Sequence, residues 1–304
     1  MAFVKRQITL IFTLSEIGAQ FTAANGQSAG NVLTVEGART KVRIEKNSGG
    51  RTSHAEVNVY GLTLDHMRAL SRINAAQMVM LKNDIEILVS DPTNPANAPT
   101  SVFHGQITMG EIDISNEPDS ALVVSASAGL YYAVAPAAGN SYSGAVPVTT
   151  VLSSRAQLMN LTPDFRGITG TPMLSDPHLS GSLMTQVQEI CEAAGLNLFI
   201  DGQTMYVYDR HGSIPVATGT SIPIVSAATG MIGYPSVSAM GVAVKTLFSP
   251  FLNMGQQVKI ESTLPYAAGE FGIYSLVHDL ESQVPDGKWE TSFHCSWADA
   301  AVAL

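Results

Sequence analysis

The segment from Lys288 to Trp297 constrains the fold most strongly. Polar side chains alternate there with a mainly apolar set, whose members are Trp289, Thr291, Phe293, Cys295 and Trp297. Successive side chains of a β-strand point to opposite faces, so this pattern predicts a strand with one face in the core. Pro285, Asp286 and Gly287 precede it and favour a type I turn in which glycine takes the left-handed position. The segment therefore predicts the second strand of a β-hairpin.

A similar hairpin is predicted 167 residues earlier, counted from Pro118 to Pro285. Pro118 and Asp119 precede a strand whose inward residues are Leu122, Val124, Ala126 and Ala128. The same offset aligns Gly105 with Gly272 and Ser115 with Ser282. A one-residue slip would exchange the two faces of a strand, so a shared turn and register indicate an internal duplication. We expect the two hairpins to occupy equivalent places in two superposable barrels.

The rest of the first third alternates in the manner of strands. The predicted strands are Ile8–Leu14, Thr40–Lys46, Ala55–Tyr60, Gln77–Leu81, Ile85–Ser90, Ser101–Met109 and Leu122–Ala128. Lys5 and Arg6 before a short apolar stretch imitate a secretion signal, but the alternation favours a strand. One helix interrupts the series, capped by Thr63, with an apolar stripe of Leu64, Met67, Leu70 and Ile73.

Helical periodicity replaces alternation in the middle third. One helix follows Val148, and a second, capped by Ser180 or Ser182, ends at Gly195 in the C′ position. Asp201 and Gly202 then form a tight-turn signal between two short strands. We predict a mainly β (α+β) fold with two related tube-type β-barrel domains, residues 1–135 and 213–304. A small α/β module, residues 136–212, lies between them in the chain.

The composition limits the function. Only 13% of residues are charged, and the net charge is −9. The sequence contains no basic cluster interleaved with aromatic residues, which argues against sequence-specific DNA binding. An acidic protein repels phosphate, which suits a passage for DNA better than a clamp. No apolar run approaches the ~20 residues of a membrane helix, so membrane insertion is not expected.

The candidate chemical features are few, and each has a simpler structural interpretation. Gly167–Pro172 resembles an anion-binding loop but lacks a following lysine, and is interpreted as a turn. His278, Asp279, His294 and Cys295 could supply metal ligands, although the last two point to opposite faces of one strand. Two aspartates could in principle form the carboxylate pair of a glycosidase, but those of this sequence stand at turn signals, where aspartate is usual. They are Asp164, Asp176, Asp201 and Asp209. We therefore predict no catalytic residues, no metal and no cofactor.

The two cysteines, Cys191 and Cys295, follow a helical and a strand pattern respectively. Both are interpreted as small buried hydrophobic residues, and the sequence leaves open whether they pair.

The segment from Gly230 to Ser262 contains a strand, a proline-interrupted crossover and a second strand. Its motif positions are Gly233, Pro235, Gly241, Val242, Val244, Leu247, Phe248, Pro250, Gly255, Val258 and Ile260. In these positions the segment resembles the baseplate hub proteins of tailed phages. A weaker similarity is the strand Glu56–Leu62 running into a helix. The motif is interpreted as a determinant of the fold, because its residues suit strands and turns and none of them supplies reactive chemistry.

This resemblance implies a non-enzymatic virion subunit that forms a homotrimer. Two barrels per chain would give a ring of six similar domains, which adapts the sixfold tail tube to the threefold spike while DNA passes through. The implied partners are the tail spike protein, a tail tube or distal tail protein, and also a tape measure protein. The implied location is the tail baseplate, assembled in the host cytoplasm. The alternatives are a tail-tube or distal-tail ring protein and, less favoured, a carbohydrate- or receptor-binding tail protein.

Overall fold

The mainly β fold class is confirmed by a computed structural model, which describes residues 6–15, 20–22, 27–47, 52–71, 83–90, 99–115, 119–217, 219–239 and 241–297. The strands of the first 130 residues are β1 (Gln7–Thr13), β2 (Val32–Glu36), β3 (Thr40–Asn47), β4 (His54–Tyr60), β5 (Asp84–Ser90), β6 (Pro99–Asp113) and β7 (Ala121–Ser127). Those of the middle are β8 (Asn140–Ser141), β9 (Ala145–Pro147), β10 (Thr162–Gly167), β11 (Met173–Ser175), β12 (His178–Leu179), β13 (Leu196–Asp201) and β14 (Thr204–Asp209). The last are β15 (Ile224–Val225), β16 (Ser236–Ser238), β17 (Gly241–Leu247), β18 (Gln257–Ile260), β19 (Gly269–Ser282) and β20 (Trp289–Trp297).

Helices are short in the part of the chain that the structure describes. The α-helices are α1 (Leu64–Leu70), α2 (Leu130–Val134), α3 (Val148–Leu158) and α4 (Leu183–Ala193). Two 3₁₀ turns are η1 (Ala227–Thr229) and η2 (Pro265–Ala267). Among these described residues, no helix is long and apolar enough to cross a membrane.

The chain divides into two compact units. Unit 1 contains residues 1–44, 54–131 and 278–289, and unit 2 contains residues 45–53, 132–277 and 290–304. Strands β3 and β19 thus contribute residues to both units. The division at residues 135 and 212 into two barrels and a module stays a prediction, as does the closure of each barrel.

Unit 1 is built on an antiparallel sheet. Its strand order runs β4, β7, β6, β5, β1, β2, and every pair in this series is antiparallel. The core-facing residues alternate along each strand, as in β4, where Ala55, Val57 and Val59 are fully buried. The predicted strand at Ile8–Leu14 is confirmed as β1. The predicted strand Gln77–Leu81 and the helical position Ile73 lie outside the described residues.

Helix α1 lies against β6 in unit 1. Thr63 caps it, because its hydroxyl accepts a hydrogen bond from the backbone N–H of His66 at 3.3 Å. Met67 and Leu70 are the buried residues of the helix. Gly110 of β6 permits the close approach, since a Cβ at this position would lie 2.2 Å from the backbone oxygen of Leu70. The predicted cap is confirmed, as is the burial of Met67 and Leu70, whereas Leu64 of the predicted apolar stripe is 47% exposed.

The middle of unit 2 is a small α/β module. Its sheet has the order β10, β14, β13, with β10 parallel and β13 antiparallel to β14. Helices α3 and α4 cover this sheet, and the helix residues in the shared core include Val151, Leu152, Val187 and Ile190. Buried polar groups join the helices, because the Arg155 guanidinium donates to Gln186 Oε1 at 3.1 Å.

The predicted signals of the module are also present. Ser182 caps α4, and its hydroxyl accepts from the N–H of Thr185 at 3.1 Å. Gly195 follows the helix in the left-handed conformation at φ 67°. Asp201 and Thr204 face each other across the tight turn of the β13–β14 hairpin.

The last strands of unit 2 have the order β16, β17, β20, β19, and β18 pairs with β19. Their shared core includes Val242, Val258, Phe271 and Phe293. The alternation predicted for the final strand is confirmed, since Thr291, Phe293 and Cys295 are buried and His294 is exposed. Strand β16 ends this series, and among the described residues no further strand pairs with its outer edge.

Candidate functional site

The four aspartates considered for catalysis are each held by a neighbouring group. The Arg166 guanidinium donates to Asp164 at 2.6 Å and holds the pKa of that carboxyl below its usual range. Asp176 accepts a hydrogen bond from the backbone N–H of Gly144 at 2.7 Å, which matches a turn-forming role. Asp209 accepts from the backbone of Thr169, and Asp201 pairs with Lys46.

The glycine-containing loop from Gly167 to Pro172 is occupied by a carboxylate of the protein itself. Asp209 accepts a hydrogen bond from the backbone N–H of Thr169 at 3.1 Å, and the Thr169 hydroxyl also donates to it. An N–H group that would have to bind an external anion is therefore already satisfied, which supports the interpretation of the loop as a turn.

A buried charged cluster lies in unit 2 and is formed by Lys46, Asp201 and Asn253. The Lys46 ammonium donates to both carboxylate oxygens of Asp201, at 2.8 and 2.9 Å, and its side chain is 4% exposed. Asn253 Nδ2 donates to Asp201 Oδ2 at 2.7 Å, and Asn253 Oδ1 lies 3.3 Å from the same ammonium. These contacts join β3, the β13–β14 turn and the loop before β18. The ammonium, the carboxylate and the amide therefore satisfy one another within the chain, and the cluster is interpreted as structural.

Sequence reasoning missed this cluster, although a signal was present. Thr40, Val42, Ile44 and Lys46 share the inward face of β3, and all four are buried. A lysine in the core register of a strand needs a buried partner, because an unpaired buried charge is costly. The register alone could have identified Lys46 as unusual, but not the residue that pairs with it.

The residues considered as metal ligands do not come together. The structure contains no group of three or more metal-binding side chains among its described residues. His294 is exposed while Cys295 is buried, and Asp279 instead forms an ion pair with Arg43 at 3.0 Å. His278 is buried in β19.

Both cysteines are free thiols in the interior. Burial raises the pKa of Cys191 to about 12 and likewise that of Cys295 to about 12. Because the thiolate is the reactive form, neither group is suited to nucleophilic chemistry near neutral pH. This agrees with the interpretation of both as small hydrophobic residues.

The motif of the Gly230–Ser262 segment lies mainly on β17 and β18. Four of its aliphatic residues, Val242, Val244, Val258 and Ile260, are buried in the core of the last strands. Leu247 is instead exposed, and Phe248 and Pro250 are partly buried in the connection that follows β17. Gly233 and Pro235 precede β16, and Gly233 is exposed whereas Pro235 is buried.

Two glycines of the motif occupy positions that a larger residue could not. Gly241 has φ 127°, and a Cβ there would lie 2.0 Å from the backbone oxygen of Cys295. Gly255 has φ 73°, and its Cβ would lie 2.9 Å from Ile214 Cδ1. These placements give a packing reason for glycine, but whether the motif as a whole specifies the hub fold remains a prediction.

The two hairpins that suggested duplication are present as β6–β7 and β19–β20. The Gly287 N–H donates to the Val284 oxygen at 3.2 Å, which closes the predicted turn around Pro285. The prediction that glycine takes its left-handed position is wrong, because Asp286 adopts the left-handed φ of 52° instead. Asp119 forms an ion pair with Arg39 at 3.1 Å. Pro118 lies outside the described residues, and the equivalence of the two hairpins stays a prediction.

Several apolar residues at or near the edge of the last strands in unit 2 are exposed. We name this group of residues the uncharged edge surface, and it consists of Ile232, Tyr234, Val237, Leu247, Phe251 and Tyr266. Tyr234 and Tyr266 are each 79% exposed, and Phe251 is 67% exposed. Between Arg210 and Lys259 the sequence contains a single charged residue, Lys245.

Backbone pairing places Ile232, Val237 and Leu247 along β17, with Ile232 and Leu247 on the face of exposed Lys245 and Val237 on the other face, opposite Val242. The Ile232 N–H donates to the Lys245 oxygen at 2.7 Å, and the Leu247 N–H donates to the Gly230 oxygen at 2.9 Å, so residues 230–232 lie beside β17. Strand β16, which carries Val237, pairs with the other end of β17. The turn η2, which carries Tyr266, contacts β16.

The overall fold is that of phage tail proteins and related secretion components. The structure is similar to a tail protein from Neisseria meningitidis MC58, with a TM-score of 0.62 and 8% identity over 96% of this chain and 97% of that one. It is also similar to a 43 kDa tail protein of prophage MuSo2 from Shewanella oneidensis, with a TM-score of 0.59 and 8% identity over 96% and 97% of the two chains. A third similar structure is the E. coli c3393 protein, described as a component of the type VI secretion system, with a TM-score of 0.55 and 10% identity over 85% of this chain and 73% of that one. At these identities the similarity shows the fold alone.

The sequence identifies the family within this class. Residues 17–288 match the family model described as baseplate hub gp41. No curated protein matches the sequence. The chain belongs to the baseplate hub gp41 family, and the resemblance predicted from the Gly230–Ser262 segment is confirmed.

Proposed function

We propose that this chain is a non-enzymatic structural hub subunit which forms a homotrimeric ring between the tail tube and the spike. The observation that carries the proposal is the match to the baseplate hub family over residues 17–288. Each unit contains its own β-strands and its own buried residues. This supports a subunit that contributes two β-rich building blocks to the ring. Three such chains would present six blocks to a sixfold tube and a threefold face to a spike.

The ring is proposed to let DNA pass without sequence-specific contact. The net charge of −9 supports a neutral to acidic channel, because a basic lining would hold phosphate through counterion release. The partners under this proposal are the tail spike protein, a tail tube or distal tail protein, and a tape measure protein. The site would be the virion baseplate, assembled in the host cytoplasm.

The proposed trimer is tested by the mass of the purified full chain at micromolar concentration. Three chains of 32.1 kDa give a species of about 96 kDa, and closed rings are the usual product of head-to-tail contacts. Electron microscopy of this species should show a ring with a central opening. A monomer at every accessible concentration would contradict the ring, and an Arg- or Lys-lined opening would contradict the proposed channel.

The alternative of carbohydrate or receptor binding has one observation in its favour, the exposure of Tyr234, Phe251 and Tyr266. Sugar recognition also needs polar groups placed around an aromatic platform, since sites of this kind fix orientation through a few convergent hydrogen bonds. The sequence from 211 to 258 supplies one charged side chain, Lys245, and its ammonium already pairs with Glu290. We therefore favour a protein interface at this surface.

A further inference from the structure

We infer that the outer edge of strand β2 in unit 1 binds an extended segment of another protein as an added β-strand. Strand β2 ends the sheet of unit 1, and among the described residues no strand pairs with its outer edge. An unpaired strand edge presents a row of N–H and C=O groups, which is complementary to an extended polypeptide. The main chain of the occupant therefore supplies the first element of recognition.

The pairing of β1 with β2 shows which backbone groups face outward. The Leu14 N–H donates to the Asn31 oxygen at 2.8 Å, so these two residues form a hydrogen-bonded pair. Hydrogen-bonded and non-hydrogen-bonded pairs alternate along an antiparallel ladder, so the next hydrogen-bonded residues of β2 are Leu33 and Val35. The residues of β2 whose N–H and C=O groups consequently point away from β1 are Val32, Thr34 and Glu36.

A groove of 690 Å³ follows this edge. Its lining includes the four consecutive β2 residues from Leu33 to Glu36, together with Thr63 and His66 at the start of α1. Side chains on one face of a strand occur at every second position, so a wall of four consecutive residues means that the groove runs along the backbone edge. The groove therefore gives an extended segment access to the outward N–H and C=O groups.

Strand β2 lacks the features that usually protect an edge strand. Natural edge strands are often very short, or carry proline, lysine or a bulge. Strand β2 has five residues without proline or lysine, and its pairing with β1 has no register shift. Strand β16 of unit 2, by contrast, has three residues and follows Pro235. The edge of β2 is thus the better suited of the two to accept a further strand.

The charges of the groove favour an occupant with a basic residue. The Arg39 guanidinium already pairs with Asp119 at 3.1 Å and lies over the Tyr60 ring, 4.2 Å from its centroid. Glu36 is exposed, and within the described part of the chain its carboxylate has no ion-pair partner. A lysine or arginine opposite Glu36 on the added strand would form a favourable cross-strand pair.

The two faces of β2 define the side chains of the remaining positions. Leu33 and Val35 lie on the core face, where Val35 is buried and Leu33 is partly buried. Thr34 and Glu36 lie on the solvent face and are exposed. The occupant is therefore an extended segment with apolar residues on one face, and with polar residues, one of them basic, on the other.

A different protein suits this edge better than a second copy of the chain. Two β2 strands paired with each other would join two copies about a twofold axis, since such a contact is isologous. The proposed ring instead needs a contact that repeats about a threefold axis, and this step of the inference rests on the proposed function. Strand β16 of a second copy has only three residues and could not cover the five of β2.

The test measures the binding of short fluorescent peptides to the full-length protein by fluorescence anisotropy. The first peptide alternates valine with threonine and has lysine in place of one threonine. The second has glutamate instead of that lysine, and the third is the lysine peptide with its backbone amides N-methylated. We expect the wild type to bind the N-methylated peptide at least about tenfold more weakly than the lysine peptide, because the N–H donors are lost.

Substitutions in β2 locate the bound peptide. Thr34→Pro removes an N–H group that faces outward and should weaken binding of the lysine peptide at least about fivefold, whereas its control Thr34→Val keeps that group and should bind like the wild type. Glu36→Lys should reverse the preference of the wild type and favour the glutamate peptide. Its control is Glu111→Lys, an exposed residue of β6 outside the groove, which should leave the preference unchanged.

Circular dichroism verifies that each variant is folded, and the N-methylated peptide decides the question with the wild type if Thr34→Pro is not. Failure of the wild type to bind the lysine peptide, or equal binding of the N-methylated one, would overturn the added strand. Equal affinities of Thr34→Pro and Thr34→Val, or an unchanged preference in Glu36→Lys, would overturn the assignment to β2.

Native mass separates this inference from the proposed function. A trimer that binds none of the peptides would overturn the inference and leave the ring intact. A chain that binds the lysine peptide at β2 without forming a trimer would contradict the ring and leave the added strand in place. A wild-type dimer that Thr34→Pro dissociates would show that a second copy occupies the edge, which would overturn the assigned occupant.

Discussion

Two regions of unit 2 depart in opposite directions from the usual placement of polar and apolar groups. The cluster of Lys46, Asp201 and Asn253 buries charge, whereas the uncharged edge surface exposes aromatic rings. The buried charges have partners within the chain at hydrogen-bond distance. The exposed rings have much of their surface in water. The comparison teaches that the buried charges of this unit are satisfied within one chain, while several of its aromatic rings are left in water.

The largest effect is expected from breaking the buried cluster. Lys46→Met leaves the Asp201 carboxylate, which is 19% exposed, without its cation, and breaking a buried pair in this way costs about 3–5 kcal/mol. We expect the free energy of unfolding to fall by that amount in urea denaturation. The double variant Lys46→Met/Asp201→Leu removes both charges and should recover much of the loss.

An exposed ion pair of unit 1 supplies the control for that experiment. Lys41 lies on the solvent face of β3 and pairs with Glu281 at 3.5 Å. Lys41→Met should change the free energy of unfolding by no more than about 1 kcal/mol. Equal losses from Lys41→Met and Lys46→Met would show that the buried cluster is no more important than a surface pair.

The next effect concerns the strand pair behind the uncharged edge surface. Gly241→Ala would place a methyl group 2.0 Å from the backbone oxygen of Cys295, where the neighbouring strand has to move. We expect a loss of at least about 2 kcal/mol in the free energy of unfolding, in the range of strain at special backbone positions.

Gly144→Ala is its control, because Gly144 has φ 78° but no atom within 4 Å of an added Cβ. Backbone strain alone should cost about 1–2 kcal/mol there. If both alanine variants lose the same stability, the close packing of β17 against β20 is not what requires glycine at position 241.

The main elements of the fold could be predicted from local patterns. The alternation in β20, the Thr63 and Ser182 caps and the Asp201–Gly202 turn are short-range signals, and all of them are present in the structure. Strand β2 was missed, because its burial is confined mainly to Val35 and the alternation of an edge strand is weak. The sequence does not show that residues 45–53 belong to unit 2 and residues 278–289 to unit 1, since both assignments depend on long-range pairing.

The candidate sites were predicted less completely. The sequence favoured turn roles for Asp176 and Asp209, and Asp176 does adopt a left-handed φ of 48°. Their carboxylates, however, accept from backbone N–H groups that are 32 and 40 residues away, which a local pattern does not reveal. No local pattern pairs Lys46 with Asp201 either, since they are 155 residues apart. Solvent exposure of Tyr234 and Tyr266 was also hidden, since aromatic residues beside proline and glycine occur in cores and on surfaces alike.

A smaller effect is expected where charge lies on a solvated surface. Arg43 donates to Asp279 at 3.0 Å in unit 1, and the Arg43 side chain is nearly half exposed. A double-mutant cycle with Arg43→Ala and Asp279→Ala should give a coupling energy of about 0.2–1 kcal/mol, which decreases as salt is added. A coupling above 2 kcal/mol would mean that this pair resembles the buried cluster more than a surface contact.

The smallest effect on stability is expected at the uncharged edge surface itself. Phe251→Ser and Tyr266→Ser remove rings that are mostly in water, so the free energy of unfolding of the isolated subunit should change by no more than about 0.5 kcal/mol. Urea denaturation at a concentration low enough to dissociate the trimer measures this quantity. The matched buried substitution is Phe271→Ser in the same unit, which should cost several kcal/mol because the ring lies in the core. A large loss at position 251 or 266 in the isolated subunit would mean that these rings already stabilise the single chain, and the contrast between satisfied buried charges and rings left in water would fail.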